Sequence, residues 1–584
     1  MYLICKPQLS RSAFDDTVSR ARHAVSFVAG TRLAFNQCSA VMNTSGSSLH
    51  SIELVLLLLL LFVAGFAWLA QRLKIPYPIV LVIAGLVLGF IPGIPRVSLN
   101  PELIFLVVLP PLLYAAAWVT SWRDFVENFI SIASLAIGLV AFTVFAVAVV
   151  IPWFFSGFDW RIGFVLGAAV ATTDAIAATS IAKRVGLPKR IVDVLEGESL
   201  VNDATGLLAL EFGTAIVVYG QTPSFFSGVG RFVYLGGAGV AIGVALAIIV
   251  EWFERRIDDA NIEITISIFV PYAAYLAAEA VHASGILAVV AAGLFLGGRS
   301  SRFFSPSVRL QANAVWNSLT FILNGLVFVL IGLQLPYVLS GIRESSLPEL
   351  IGLGALFSAF LIALRLAWTF PSAYFANFMR SRMLHRQQPV PNARGLFVVG
   401  WTGMRGVIAL AAAISLPRTL SSGDAFPHRS LIIFLTFSVI LVTLVLQGLT
   451  LPALIRALGL GGSSRPHTRE EEARRLVLEQ ALAHLEKRRQ EDKPEFAGTY
   501  DDLAQHYRQR LASVNGEAEE DVSPEQYQRY LSLSREMLEV ERNAALELRN
   551  QGRIDSEIAR ELEEELDLSE TRLRSAIKHR DLQA

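Results

Sequence analysis

Long apolar runs, broken at short intervals by glycine, proline and basic clusters, dominate residues 52–457 of this chain. About thirteen segments stand out, at 52–71, 78–91, 102–118, 129–151, 162–182, 194–218, 232–250, 264–281, 284–298, 314–335, 349–373, 396–416 and 430–457. Many approach the ~20 residues that a helix rising 1.5 Å per residue needs to cross a hydrocarbon core about 30 Å thick. They are apolar nearly all round, the pattern of transmembrane helices. Segments 264–281 and 284–298 are so close together that they read as a tight hairpin. After Gly461-Gly462 the pattern inverts, and 468–495, 524–550 and 555–580 read as charged amphipathic helices, with Ser523-Pro524-Glu525-Gln526 a plausible helix start. The expected fold is an all-α polytopic membrane protein with a helical tail. It divides into a leader (1–49), a transmembrane domain (50–458) and a charged tail (459–584).

Composition agrees: 53% of residues are hydrophobic and 17% charged, and the mean hydropathy is +0.50, far to the apolar side of a soluble domain. The formal net charge of +0 hides a charge-poor body and a charge-rich tail. Loop charges orient the array. Basic residues such as Lys183-Arg184, Lys189-Arg190, Arg255-Arg256 and the set Arg380, Arg382, Arg386 and Arg394 follow the odd-numbered segments. The alternate loops hold isolated arginines such as Arg96, Arg231 and Arg343. Roughly 16 basic residues against 6 predict a cell (inner) membrane protein with its tail in the cytoplasm, and an odd helix number puts the N-terminus outside. Both cysteines, Cys5 and Cys38, precede the membrane body, which excludes thiolate metal sites and cysteine nucleophiles there. Residues 1–41 lack a signal-peptide layout; they read as a disordered leader or as a start that belongs at Met42.

Against this background the stretch EGESLVNDATG, residues 196–206, is out of place. Asp203 lies about nine residues into the sixth segment, roughly 13 Å deep. Asp174 in the fifth and Arg405 in the twelfth reach roughly the same level, about 12–13 Å from the cytoplasmic side. Ionisable groups there are costly and mark function or pairing. Ser199 and Asp203, four residues apart, share one helix face, where a hydroxyl and a carboxylate can ligate one cation. Glu198 points about 140° away from Asp203, which makes it the expected partner of Arg405 in a structural ion pair. Asn202 adds an uncharged polar group beside Asp203.

Thr172-Thr173-Asp174 in the fifth segment, and Thr402, Gly403, Arg405 and Gly406 in the twelfth, interrupt their apolar runs with hydroxyl, glycine and charge. Interrupted helices at matching places expose backbone carbonyls and helix ends that coordinate ions in secondary transporters. The Thr173 carbonyl and the Asp174 carboxylate are thus candidate ligands. Oxygen donors with one or two carboxylates suit a hard monovalent ion, Na⁺, Li⁺ or K⁺, better than a transition metal. A carboxylate that holds Na⁺ can instead hold H⁺, so competition for Asp203 would couple the two ions.

Together, EGESLVNDATG, TTDAIAAT, KRVGLPKR, HASGILAVVAAGLFLG and GMRGVIAL resemble the monovalent cation/proton antiporter family of bacterial NhaP-type and animal sodium–hydrogen exchangers. The resemblance covers about residues 50–458. It implies thirteen helices in inverted repeats, two crossed and partly unwound helices, a homodimer and an elevator-like motion. It makes Asp203 the ion- and proton-binding carboxylate, and Asn202 its partner in the asparagine–aspartate pair of the electroneutral branch. Ser199, Thr173 and Asp174 match further ion ligands, and Glu198 with Arg405 matches the structural ion pair. Two positions depart from the pattern: Ala175 stands where related sequences often have proline, and Tyr114-Ala115 where related bacterial sequences often have an acidic residue.

The expected activity is secondary active antiport of Na⁺, Li⁺ or K⁺ against H⁺, electroneutral, serving pH homeostasis. Its partners would be membrane lipid, the two ions and a second copy of the chain, with no nucleic acid and no cofactor. A membrane-embedded enzyme using Asp174 and Asp203, or a cation channel or sensor, is the alternative. The body lacks HExxH, GxSxG and phosphate-cradling motifs, which disfavours an enzyme. Arg365 either pairs inside the bundle or snorkels to the cytoplasm. Glu279 with His282 reads as an interfacial pair or a pH-sensing one, and Glu211 borders a candidate exit path.

Overall fold

The computed structural model describes residues 57–91, 100–154, 158–220, 225–257, 259–342, 346–384, 392–460, 465–492, 497–515, 524–551 and 565–570. The leader 1–49 and most of the expected helix 555–580 lie outside them. Two compact units divide at Gly462/Ser463, and no β-strand occurs among the described residues.

The described residues of the first unit form these helices: α1 (Leu57–Leu73), α2 (Tyr77–Gly89), α3 (Pro101–Val119), α4 (Trp122–Trp153), α5 (Trp160–Ala171), α6 (Ala175–Val185), α7 (Lys189–Tyr219), α8 (Phe225–Glu254), α9 (Ala260–Glu279), α10 (Gly285–Gly297), α11 (Ser307–Ser340), α12 (Leu347–Leu384), α13 (Ala393–Trp401), α14 (Val407–Ile414) and α15 (Arg429–Ala457). Among the described residues, 9 spans are long and apolar enough to cross a membrane, with α1, α2 and α10 as shorter apolar helices. The segment expected at 396–416 is two helices of 9 and 8 residues. The one expected at 194–218 begins earlier, at Lys189, and runs for 31 residues. Side chains such as Phe145, Ile249, Phe269 and Phe375 point outward and stay exposed, as lipid-facing positions do.

Local chemistry sets the boundaries. Ser121 starts α4 by accepting the Asp124 amide, and Ser284 starts α10 by accepting that of Leu287. The expected hairpin is α9–α10, where the chain reverses through residues 280–284.

Inside, two large apolar clusters form. One draws on α1, α2, α4–α7 and α11–α15, with Ile104 of α3. The other joins α3 and α8–α10 with residues of α4 and α7. Phe105, Leu207 and Ile408 pack against both, and so mark the seam between them.

The second unit contains α16 (Arg465–Glu491), α17 (Ala497–Asn515) and α18 (Pro524–Asn550). α17 was not among the expected tail helices. It packs against α16, tied by Arg489 to Asp501 at 3.0 Å.

Candidate cation site

Residues 172–174, between α5 and α6, and 402–406, between α13 and α14, are not helical. The first break forms without a proline at 175. Asp174 serves as N-cap of α6, its side chain accepting the Ile176 amide at 2.8 Å, while Thr172 and Asp174 adopt extended backbone. In the second, Gly406 is extended ahead of α14. The two breaks meet: the Asp174 amide donates to the Met404 carbonyl at 2.9 Å. A Cβ at Gly406 would stand 2.6 Å from the Asp174 side chain, so only glycine permits that approach.

Two of the broken ends, the start of α6 and the end of α13, meet a charge of suitable sign. Asp174 sits at the N-terminus of α6. Arg405 donates to the Gly403 carbonyl at 3.1 Å, and Arg365 to the Val399 carbonyl in the last turn of α13 at 3.2 Å.

Beside the crossing lies a cavity of ≈ 120 Å³, room for several waters at about 10–15 Å³ each. Its polar lining includes Thr172, Thr173, Asp174, Thr179, Glu196, Ser199, Asp203 and Asn324, and apolar residues of α3 from Ile104 to Val119 complete its wall. Val119, at one end of that wall, is exposed. Asp203 is 3% exposed, and among the described residues no side chain hydrogen-bonds or ion-pairs with its carboxylate. Thr173, Asp174, Ser199 and Asp203 are therefore brought to one cavity.

Asn202 does not line it. Its side-chain amide donates to Thr173 Oγ1, which donates to Glu198 Oε1 at 3.1 Å. The Thr173 hydroxyl is thereby engaged in a buried chain, while Asn202 Oδ1 has no partner.

That chain ends on an arginine other than the expected one. Arg365 grips Glu198 with two bonds, Nη1–Oε1 at 2.5 Å and Nη2–Oε2 at 2.9 Å, both side chains being at most 2% exposed. The expected Glu198–Arg405 pair is thus corrected to Glu198–Arg365. The helical wheel placed Glu198 away from Asp203, and α12 is the helix that faces it there. Gly403 makes room, since a Cβ at that position would collide with Arg365 Cδ. Arg405 turns back on its own break: its amide donates to Thr443 Oγ1 at 3.1 Å, and its Nε has no partner.

Glu196, Asn324 and Thr443 were missed as members of the site. Asn324 interrupts the apolar stretch FILNGLVFVL, a signal of the same kind as Asp174 but without charge. Among the described residues no group of three or more His, Cys, Asp or Glu is placed to hold a metal ion. What the cavity can offer a cation is carboxylates with hydroxyl, amide and carbonyl oxygens. Glu211, considered at the exit, ion-pairs with Arg231 at 2.5 Å.

Residues 57–457 match the family model "Sodium/hydrogen exchanger, transmembrane". The chain is 33% identical over 523 residues to an uncharacterised Na⁺/H⁺ exchanger of Mycobacterium bovis, covering 86% of this chain and 93% of that protein. It is 34% identical over 453 residues to a sodium, potassium, lithium and rubidium/H⁺ antiporter of Bacillus pumilus, covering 76% and 66%. In structure it is similar to the sodium proton antiporter MjNhaP1 of Methanocaldococcus jannaschii, with a TM-score of 0.53 and 19% identity over 70% of this chain and 98% of that one.

Proposed function

Because the chain belongs to the sodium/hydrogen exchanger family, whose members are transporters and not enzymes, we propose that it exchanges a monovalent cation for H⁺ at Asp203. Na⁺ is the first candidate, with Li⁺ and K⁺ as further substrates; the Bacillus pumilus relative is named for sodium, potassium, lithium and rubidium. The observation that carries the reading is the buried, unpartnered Asp203 carboxylate in a cavity it shares with Asp174. A desolvated carboxylate there must hold a positive charge. A cation with its shell completed by Ser199, Asp174 and the Thr173 carbonyl, or a proton, would neutralise it. Both cannot occupy it at once, which makes transport an exchange.

Asn202 serves as the neutral neighbour of Asp203, and the Glu198–Arg365 pair fixes α7 to α12 and α13. Arg405 balances the carbonyl ends at the break. The seam between the two apolar clusters is where one body would slide past the other in an elevator-like cycle. The reading takes thirteen crossings, counting α1, α2, α10 and the broken α13–α14 with the 9 long spans among the described residues. The remaining reading is a homodimer with inverted repeats in the cell membrane, N-terminus outside, tail 459–584 cytoplasmic, exchange electroneutral.

The test is proton efflux from acid-loaded inverted vesicles on adding Na⁺, Li⁺ or K⁺. Wild type should dissipate the gradient and Asp203→Asn should not. Equal activity in the two would move the site elsewhere, and current without opposing proton movement would favour a channel.

A further inference from the structure

Glu196, Ser199, Leu200 and Asp203 all line the cavity. Their spacing of three, four and seven residues puts them on one face of α7, so the cavity wall carries a carboxylate at each end of a stripe about 10 Å long. Asp203 is the buried end. Glu196 is the outer end, with its side chain 21% exposed. The exchange chemistry uses Asp203 and gives Glu196 nothing to do.

Glu196 has one strong partner. Lys183, near the end of α6, places Nζ 2.7 Å from Oε1, and its side chain is 60% exposed. Nearby, Lys189 is held by Asp124 at 2.6 Å, and Asp193 lies one turn before Glu196, half-buried. A pair as exposed as Lys183–Glu196 contributes little as a brace. Its ammonium is nonetheless a cation already seated on the cavity's outer carboxylate. A monovalent ion entering along the α7 stripe meets that carboxylate before it meets Asp203, and must displace the lysine to use it.

We propose that Glu196 is a loading site for the incoming monovalent cation at the mouth of the cavity, and that Lys183 is a tethered competitor for it. This rests on the exchange reading above. The lysine keeps the mouth electrically closed at low cation concentration. As the cation concentration rises, the ion takes the carboxylate, and a step of about two turns, past Ser199, brings it to Asp203. Glu196 is a positioning residue in this scheme, with Asp203 remaining the exchanging group.

The two partners then predict opposite signs, which a brace cannot do. In proteoliposomes of the full chain, Na⁺-driven proton movement gives the Na⁺ concentration for half-maximal rate. Glu196→Gln should raise it roughly three- to tenfold, because a focusing charge is lost. Lys183→Gln should lower it several-fold, because the competitor is gone. The double variant should follow Glu196→Gln, since without the carboxylate the lysine has nothing to block. In each case the half-saturation should move more than the maximal rate. If both single variants shift it in the same direction, or neither shifts it, the proposal is overturned. Should Glu196→Gln fail to accumulate, the downward shift with Lys183→Gln still decides. Wild type inactive with Na⁺, Li⁺ and K⁺ would instead overturn the exchange reading itself.

Discussion

The Asp174 amide donates to the Met404 carbonyl at 2.9 Å, joining the two interrupted helices at their breaks. Neither side of that bond has slack. Asp174 is also tied through its side chain to the Ile176 amide, and Arg405, next to Met404, is tied to Thr443. A methyl group at Gly406 would lie 2.6 Å from both Cβ and Oδ2 of Asp174, a side chain already held by the Ile176 amide. Gly406→Ala is therefore expected to separate the breaks and displace a cavity carboxylate. Displacements of about 1 Å can cost about a hundredfold in a positioned site, so the exchange rate should fall at least about tenfold while the protein still reaches the membrane. Gly352→Ala, where nothing lies within 4 Å, is the control and should retain the rate. Equal rates for the two variants in proteoliposomes would mean that the crossing tolerates the methyl group.

Glu198 and Arg365 supply a second expectation. Removing one partner of a buried, doubly bonded pair strands the other charge, typically at about 3–5 kcal/mol, whereas replacing both with neutral groups is often close to harmless. Glu198→Gln and Arg365→Met should each lower the thermal midpoint in detergent, and the double variant should recover much of the loss. The combination Glu198→Gln with Arg405→Met should show no such recovery. A cycle with the coupling on Arg405 instead would reverse the assignment of partners.

The contrast between these two arginines shows where sequence reasoning stops. Charges in apolar runs are conspicuous, so Asp174, Asp203, Glu198 and Arg405 all stood out, while Arg365 was seen but left between pairing in the bundle and snorkelling. The 100° step of a helix also separated Glu198 from Asp203. It tells in which direction Glu198 points, but not which helix packs on that side, and two arginines were available. The unwinding after Trp401 decided it, by turning Arg405 back toward the Gly403 carbonyl while Gly403 let Arg365 through. Broken helices were legible from hydroxyl and glycine clusters, and the break at Asp174 needed no proline because the aspartate caps the helix that follows. Neutral members were harder. Asn324 and Thr443 carry no charge to betray them, and Glu196 reads as an ordinary helix-end carboxylate until its place on the Asp203 face is seen. In the tail, α17 was not read as a helix, and it emerges through its packing on α16.

Competition at Asp203 carries a definite sign. If one carboxylate serves both ions, protons raise the cation concentration needed for half-maximal rate and leave the saturating rate alone. In the range where Asp203 is mostly protonated, each unit fall in pH should raise the half-saturating Na⁺ by about tenfold, the limit for one competing proton. By reciprocity, raising Na⁺ on the same side should shift the proton dependence of the rate to lower pH by the same factor. The check is a grid of initial rates in proteoliposomes, varying Na⁺ and pH on one face with the other fixed. Asp174, in the same cavity but engaged as a helix cap, supplies the control: Asp174→Asn should weaken Na⁺ binding yet preserve the parallel shift of the two dependences. A saturating rate that falls with pH at constant half-saturation would put the proton on another group, and exchange through a single carboxylate would have to be given up.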